Sequence, residues 1–245
     1  MEVPPIAIIT VTCNASTHIR DLAESLAAQT DKNFNWIVKD CWSTDSTVSI
    51  VQQFKHLFAV HTIVSPDTGI YDGLNQAIIA CESTFYLTAG ADDRLSPNAV
   101  ADLNNFLKID GYASDLYLNS IKVGNKTVFP GSGNGFFFGM HGFAANHSLG
   151  CMIRRNIHYS IGFYDTKFRL AADSQFLYQL VRSGCELKRT GVFAGEFSIG
   201  GASTAKLLFT SHSEFAFVQL LNFPRFRLVQ IFLFIIRLCK NCYRY

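Results

Sequence analysis

The 245-residue chain has no run of about 20 apolar residues, the length a membrane-crossing helix needs. It has no surplus of either charge, with 21 Lys and Arg against 19 Asp and Glu, so a nucleic-acid partner is not expected. No GxxxxGK(S/T) loop is present, which disfavours a P-loop nucleotidase. The first apolar run leads into Thr12, Cys13 and Asn14 instead of GxGxxG, which argues against a dinucleotide site. The seven cysteines are odd in number, and Cys13, Cys41, Cys81 and Cys151 lie in or beside apolar segments. They read as small hydrophobes in a reducing compartment, not as a disulfide frame. The one CxxC, Cys239 to Cys242, lacks the second pair that zinc needs. Met1–Pro5 carries no basic residue ahead of a short apolar run, so no signal peptide is expected and the location reads as cytoplasmic.

With 49% hydrophobic and 16% charged residues there is ample material for a core. Ile6–Val11 is continuously apolar, as a strand buried on both faces requires. Ser16 or Thr17 is positioned to cap a helix carrying Ile19, Leu22, Ala23 and Leu26. Phe34–Val38 and Phe58–Val64 read as strands, separated by a helix that Asp45 or Ser46 caps. Leu74, Ala77, Ile78 and Cys81 mark a third helix, Phe85–Thr88 a fourth strand, and Ser96-Pro97 opens a helix with Val100, Leu103 and Leu107 on one face. This alternation predicts a parallel sheet with right-handed crossovers, whose ligands sit beyond the carboxyl ends of the strands. Asp40, Asp92 and Asp93 fall at those ends. Farther on, Asp115–Val123 and Glu186–Ile199 read as strands, the latter closed by Gly200 and Gly201, and Asp173 precedes a helix. The connection 124–150 is too long for an ordinary loop and is expected to be functional or partly mobile, with Phe136, Phe137 and Phe138 as core or lid.

Adjacent carboxylates at a strand end, without a paired CxxC or an HExxH, suggest a hard cation, Mn²⁺ or Mg²⁺, shared with substrate phosphates. The stretches IITVTCNA, WIVKDCWSTDST, SPDTGIYDGLNQAI, FYLTAGADD, GFYDTKFRLAADSQFLYQL and GGAS follow one another from about Ile6 to Ser203. In that order they resemble bacterial family 2 glycosyltransferases of the GT-A fold, the branch that builds cell-surface polysaccharides.

The resemblance implies a mostly parallel Rossmann-like α/β sheet over residues 1–222. Residues 1–110 would bind a nucleotide sugar, usually UDP-linked, and 111–222 a glycan or lipid-linked acceptor. Asp40 would bond the nucleotide base and Asp45 support its loop, near Thr12 and Asn14. Tyr71, Asp72 and Asn75 would lie near the nucleotide. Asp92 would face the metal and the donor, with Asp93 beside it. Asp173 would deprotonate the acceptor hydroxyl, so that direct displacement inverts the anomeric centre. His147 is a candidate for phosphate or acceptor contact or for a structural role, and His212 a candidate third metal ligand. Gly90 stands where relatives often have Asp, and Trp42 where they have glycine. No QxxRW signature is present, which favours transfer of a single sugar.

Two other classes stay open: an inactive GT-A-like binding protein, which Gly90 favours, and a two-carboxylate glycoside hydrolase. The 223–245 tail carries Arg225, Arg227, Arg237, Lys240 and Arg244 around an apolar run and no acidic residue. It is expected either to dock on the inner face of the cytoplasmic membrane or to pack on the domain or a second subunit.

Overall fold

The computed structural model describes residues 3–133, 135–198 and 208–242. Gly200, Gly201 and the rest of the GGAS stretch lie outside them. The first half follows the expected alternation: β1 (Ile6–Thr12), α1 (Ile19–Ala27), β2 (Phe34–Asp40), α2 (Thr47–Gln52), β3 (Ala59–Val64), α3 (Ile70–Ala80), β4 (Phe85–Thr88), β5 (Arg94–Leu95) and α4 (Ala99–Asp110). The second half adds β6 (Leu116–Val123), β7 (Lys126–Val128), β8 (Cys151–Arg154), α5 (His158–Ile161), α6 (Ala172–Arg182), β9 (Leu187–Phe197), α7 (Leu208–Asn222) and α8 (Arg227–Cys242).

Among the described residues nine strands join one sheet in the order β3-β2-β1-β4-β8-β6-β9-β5, with β7 hairpinned onto β6. The β3-β2-β1-β4 half is parallel throughout. Beyond β4 the sheet is mixed: β8 runs antiparallel to both β4 and β6, whereas β9 is parallel to β6. A single sheet therefore carries both halves of the chain.

The apolar strands are sorted by their period of two. In β1, Ile6 and Ile8 pack with Leu22, Leu26, Trp36 and Leu103 on one face. Ala7 and Ile9 pack with Leu74, Ile78, Phe176 and Leu180 on the other. Burying one such aliphatic side chain contributes about 1.5–3 kcal/mol, which fixes the strand register against slippage. The buried Trp36 indole donates to Thr10 Oγ1 at 3.0 Å, so its one polar group has a partner.

Three expected helix starts change in detail. Neither Ser16 nor Thr17 caps α1: the cap residue is His18, with no side-chain bond, and a backbone turn leads into it, Ala15 O accepting from His18 N and Ile19 N. Helix α3 begins earlier than its apolar spacing suggests, at Ile70, because Asp72 accepts from the Thr68 N–H and hydroxyl and closes the first turn. Asp173 lies inside the first turn of α6, not ahead of it. The backbone N–H groups of Arg169, Leu170 and Ala171 leading into α6 donate instead to Glu214 of α7, at 2.9, 2.7 and 3.1 Å.

The described residues of the connection 124–150 include short regular elements. It contains β7 and a 3-10 turn, Gly139–Gly142, and it buries Met140, Phe143, Ala144 and Leu149. Farther along, β9 approaches β5 so closely that Gly195, at φ +152°, has Arg94 O only 2.1 Å from where a Cβ would sit. Gly195→Ala is expected to destabilise the fold by about 3 kcal/mol, through overpacking against backbone and an unsuitable φ. Urea unfolding of the variant beside the wild type checks this; an unchanged midpoint would show that β5 and β9 separate freely.

Candidate active site

At the carboxyl ends of β1 and β2, two loops are laced together by side chains. Asp40 is fully buried; its Oδ2 accepts from Thr12 Oγ1 at 2.9 Å and from the Ser43 hydroxyl, and its Oδ1 accepts from Ser43 N at 2.8 Å. Asn14 N donates to Ser43 Oγ, and Asn14 Oδ1 accepts from Thr44 N. Asp45 accepts from Thr47 N and hydroxyl and from Ser16 N, and these bonds, the Thr47 hydroxyl first, hold its carboxyl well below the usual range. The base contact expected of Asp40 therefore finds no exposed oxygen. Asp40 and Asp45 shape the loops, and Asn14 and Trp42 form the exposed edge.

Trp42 has φ +48° and is 63% exposed. A left-handed backbone costs a residue with a Cβ roughly 1–2 kcal/mol, which gives a physical reason for the glycine that the family resemblance leads one to expect here.

An element that motif reading missed lies beneath this edge. Lys39, wholly buried in β2, pairs with Asp67 Oδ2 at 2.8 Å and donates to Ser65 O at 2.7 Å. Its signal was a lysine inside the apolar strand FNWIVKD. Removing one partner of such a pair strands the other charge in the interior, at about 3–5 kcal/mol.

At the end of β4 the two adjacent carboxylates differ. Asp93 is 1% exposed and accepts from Gly90 N (2.8 Å), Ser148 Oγ (2.7 Å) and Ser198 N (3.0 Å). Burial pushes its carboxyl up to about 6, against the pull of those bonds. Asp92 is partly exposed, and no described residue donates to it. It sits on the wall of a cleft of about 330 Å³ with Arg94, Lys122, Gly124, Glu196 and Ser198. A Cβ on residue 90 would lie 2.8 Å from Asp92 Oδ1 and 3.3 Å from Asp93 Oδ2. Glycine at 90 is thus what lets both carboxylates fold back over the strand end.

Asp173 is partly buried, and its Oδ1 accepts from Tyr71 OH at 3.1 Å and from Ser174 N at 2.7 Å. Burial pushes its carboxyl up to about 6, with both bonds opposing. The Tyr71 ring stands 5.8 Å from that of Tyr164. From Tyr164 a buried chain of hydrogen bonds runs both ways, and its donors can be assigned. His158 Nδ1 is 3.1 Å from Gly162 O, which only accepts, so this nitrogen carries the proton. Tyr86 must then donate to His158 Nε2 and Tyr164 to Tyr86, each at 2.7 Å. His147 Nε2 donates to Tyr164 OH at 2.7 Å, which leaves His147 Nδ1 to accept from Thr88 at 3.4 Å. Burial lowers both histidines to about 4, so both are neutral.

His147 is therefore an interior residue, 5% exposed, with both ring nitrogens engaged, as its structural role would have it. Asn75 clamps the Tyr164 backbone with two bonds, to its O at 2.9 Å and from its N at 3.0 Å, and Asp72 is engaged by Thr68. Both hold the scaffold on which Tyr71 stands. His212 does not complete a metal site: no three His, Cys, Asp or Glu side chains among the described residues group to hold one. Asp93, expected on the metal, is committed to its three internal donors. The residues fit a cation held by Asp92 and substrate phosphates, since Mg²⁺-type sites use one or two carboxylates with the rest supplied by phosphate and water.

The architecture is that of GT-A glycosyltransferases. S. aureus TarS 1-349, in complex with UDP-GlcNAc, superposes with a TM-score of 0.68 at 20% identity, over 89% of this chain and 65% of that one. The mannosyltransferase PcManGT from Pyrobaculum calidifontis, in complex with GDP-Man and Mn²⁺, gives 0.60 at 16% identity, over 97% of this chain and 65% of that one. The chain thus spans less than two thirds of either structure.

The family model for glycosyl transferase family 2 matches residues 7–163, and the chain belongs to that family. The PGL/p-HBAD biosynthesis glycosyltransferases of Mycobacterium bovis (strain BCG / Pasteur 1173P2) and Mycobacterium tuberculosis (strain ATCC 25618 / H37Rv) are 29% identical to it over 181 residues, 72% of this chain and 69% of theirs.

Trp42→Gly is expected to raise stability by about 1 kcal/mol, because it removes left-handed strain and little burial. Chemical denaturation measures it, and a loss of stability would show that the indole packs on the fold in solution.

Proposed function

We propose that this chain is an inverting glycosyltransferase that moves one sugar from a nucleoside-diphosphate sugar, UDP-linked, to a hydroxyl of a glycan or lipid-linked acceptor in surface polysaccharide synthesis. The observation that carries the reading is Asp173: a carboxylate that burial pushes up to about 6, held in the first turn of α6 and oriented by Tyr71. Such a group is ionised at neutral pH and retains basicity toward a hydroxyl. The UDP-GlcNAc complex of the TarS structure supports the donor class, and the names of the mycobacterial relatives support a glycan-building role.

In this reading Asp173 takes the acceptor hydroxyl proton as that oxygen attacks the anomeric carbon. The bond to the diphosphate breaks, the nucleoside diphosphate leaves with the electron pair, and the anomeric centre inverts. Asp92, with the donor phosphates, would hold the Mn²⁺ or Mg²⁺ ion, whose charge stabilises the departing diphosphate. Tyr71 orients the base, and Asn14 and Trp42 border the nucleotide edge. Gly90 does not argue for an inactive relative, since the space a side chain there would need is filled by Asp92 itself.

A screen of nucleotide sugars for release of nucleoside diphosphate is the direct test. With the active donor, Asp92→Ala and excess EDTA are each expected to abolish release, and undiminished turnover in EDTA would remove the cation from the mechanism.

Asp173→Asn should lower turnover by about 10²–10⁴ with donor binding retained. Because the base works only when ionised, kcat/KM of the wild type should climb with pH through about 6 and then level off. That limb should vanish in the Asn variant; a limb that persists assigns the proton transfer elsewhere.

A further inference from the structure

No single helix among the described residues is long and apolar enough to cross a membrane; α7 and α8 reach that composition only together, and they are bent by 111°. Helix α7 is also bolted to the domain. Asn222 Nδ2 donates to Gln175 Oε1 at 2.8 Å, Arg182 donates to Asn222 O at 3.0 Å, and Tyr178 OH to Gln219 Oε1 at 3.2 Å. These bonds tie α7 to α6 of the domain, and α7 would have to give them up to leave it for a bilayer.

At the elbow after α7, the connection 124–150 meets the tail. The Phe136 ring lies 5.0 Å from Phe223 and 5.5 Å from Phe226, and its carbonyl accepts from the buried Gln230 side chain at 3.0 Å. Phe136 is therefore the joint. Its neighbours Phe137 and Phe138 are 56% and 73% exposed, so they are neither core nor a closed lid. Leu228, Ile231, Phe232 and Ile235 of α8 recur at i, i+3, i+4 and i+7, the spacing of one helix face, yet all four are exposed. Arg225 and Arg227 are exposed at the elbow, and no acidic residue occurs from 223 onward.

We propose that this composite face, Phe137 and Phe138 together with the outer side of α8, docks the protein on an anionic phospholipid bilayer without crossing it. Apolar side chains free of acidic neighbours suit the headgroup–acyl boundary, and basic residues beside them suit anionic headgroups. A second copy is a poor occupant: a two-fold contact of α8 with itself would offer Arg225 and Arg227 a tail with no acidic residue to pair them. The inference is independent of the catalytic reading, because it needs neither donor nor acceptor.

The test is flotation of the full chain with vesicles of phosphatidylglycerol and phosphatidylcholine, and with phosphatidylcholine alone. Binding is expected to the anionic vesicles at low salt and to fall as salt rises. Two variants, Phe137→Ser with Phe138→Ser and Leu228→Ser with Phe232→Ser, should each lower the vesicle-bound fraction about ten-fold. Their circular dichroism should match the wild type, since every altered side chain is exposed. Arg225→Gln with Arg227→Gln should flatten the salt dependence. Failure of the full chain to float, or wild-type flotation of both apolar variants, overturns the proposal. So does a concentration-dependent dimer, seen by light scattering, that the α8 variant abolishes while vesicles capture nothing.

Discussion

The site depends on the burial of Asp93. One carboxylate gathers the N–H of Gly90, the hydroxyl of Ser148 and the N–H of Ser198, from the end of β4, the connection 124–150 and the end of β9. These segments belong to opposite halves of the chain, and few apolar contacts are available where strands run out into loops. A hydrogen bond to a charged group is worth roughly 1.5–3 kcal/mol, and leaving a buried carboxylate unpaired costs more. The arrangement also explains why two like charges tolerate adjacency. Asp93 turns into the protein, and Asp92 stays partly exposed on the cleft wall.

A second constraint joins that edge to Asp173. The chain Thr88–His147–Tyr164–Tyr86–His158 is directional: Thr88 donates into it, and each tyrosine hydroxyl and imidazole donates once and accepts once. Such a network permits one arrangement of its members, because breaking any link leaves a buried polar group without a partner. Tyr164 sits at its centre and lies against Tyr71, which donates to Asp173. Asn75 fixes the Tyr164 backbone from α3. Asn75 and His147, which resemble substrate contacts in a motif comparison, here brace Tyr164 behind Asp173, the proposed base.

The family resemblance and the geometry divide the labour differently. Membership of glycosyl transferase family 2 covers residues 7–163, and Asp173 and the tail lie beyond that match. Helix α7 links these parts: Glu214 accepts from the backbone leading into α6, and the far end of α7 leads to the elbow where Phe136 meets α8. The segment that holds the start of α6 in place is therefore continuous with the exposed apolar face.

Local pattern alone determined the four parallel strands, because an apolar run such as Ile6–Val11 has no stable home except between two helical layers. It also marked Asp40, Asp92 and Asp173, since charges that end strands or open helices stand out against apolar neighbours. Tertiary structure alone decided which of them is available. Asp92 and Asp93 are adjacent and chemically identical, and only the approach of Ser148 and Ser198 turns one inward. Lys39 and Asp67, 28 residues apart, became a pair only when β2 and the loop after β3 were brought together. His147 read equally well as a contact or as core until Thr88 and Tyr164 closed on its two nitrogens. The physical reason is common to all three cases: a side chain's pattern reports its own polarity, whereas its availability depends on partners distant in sequence.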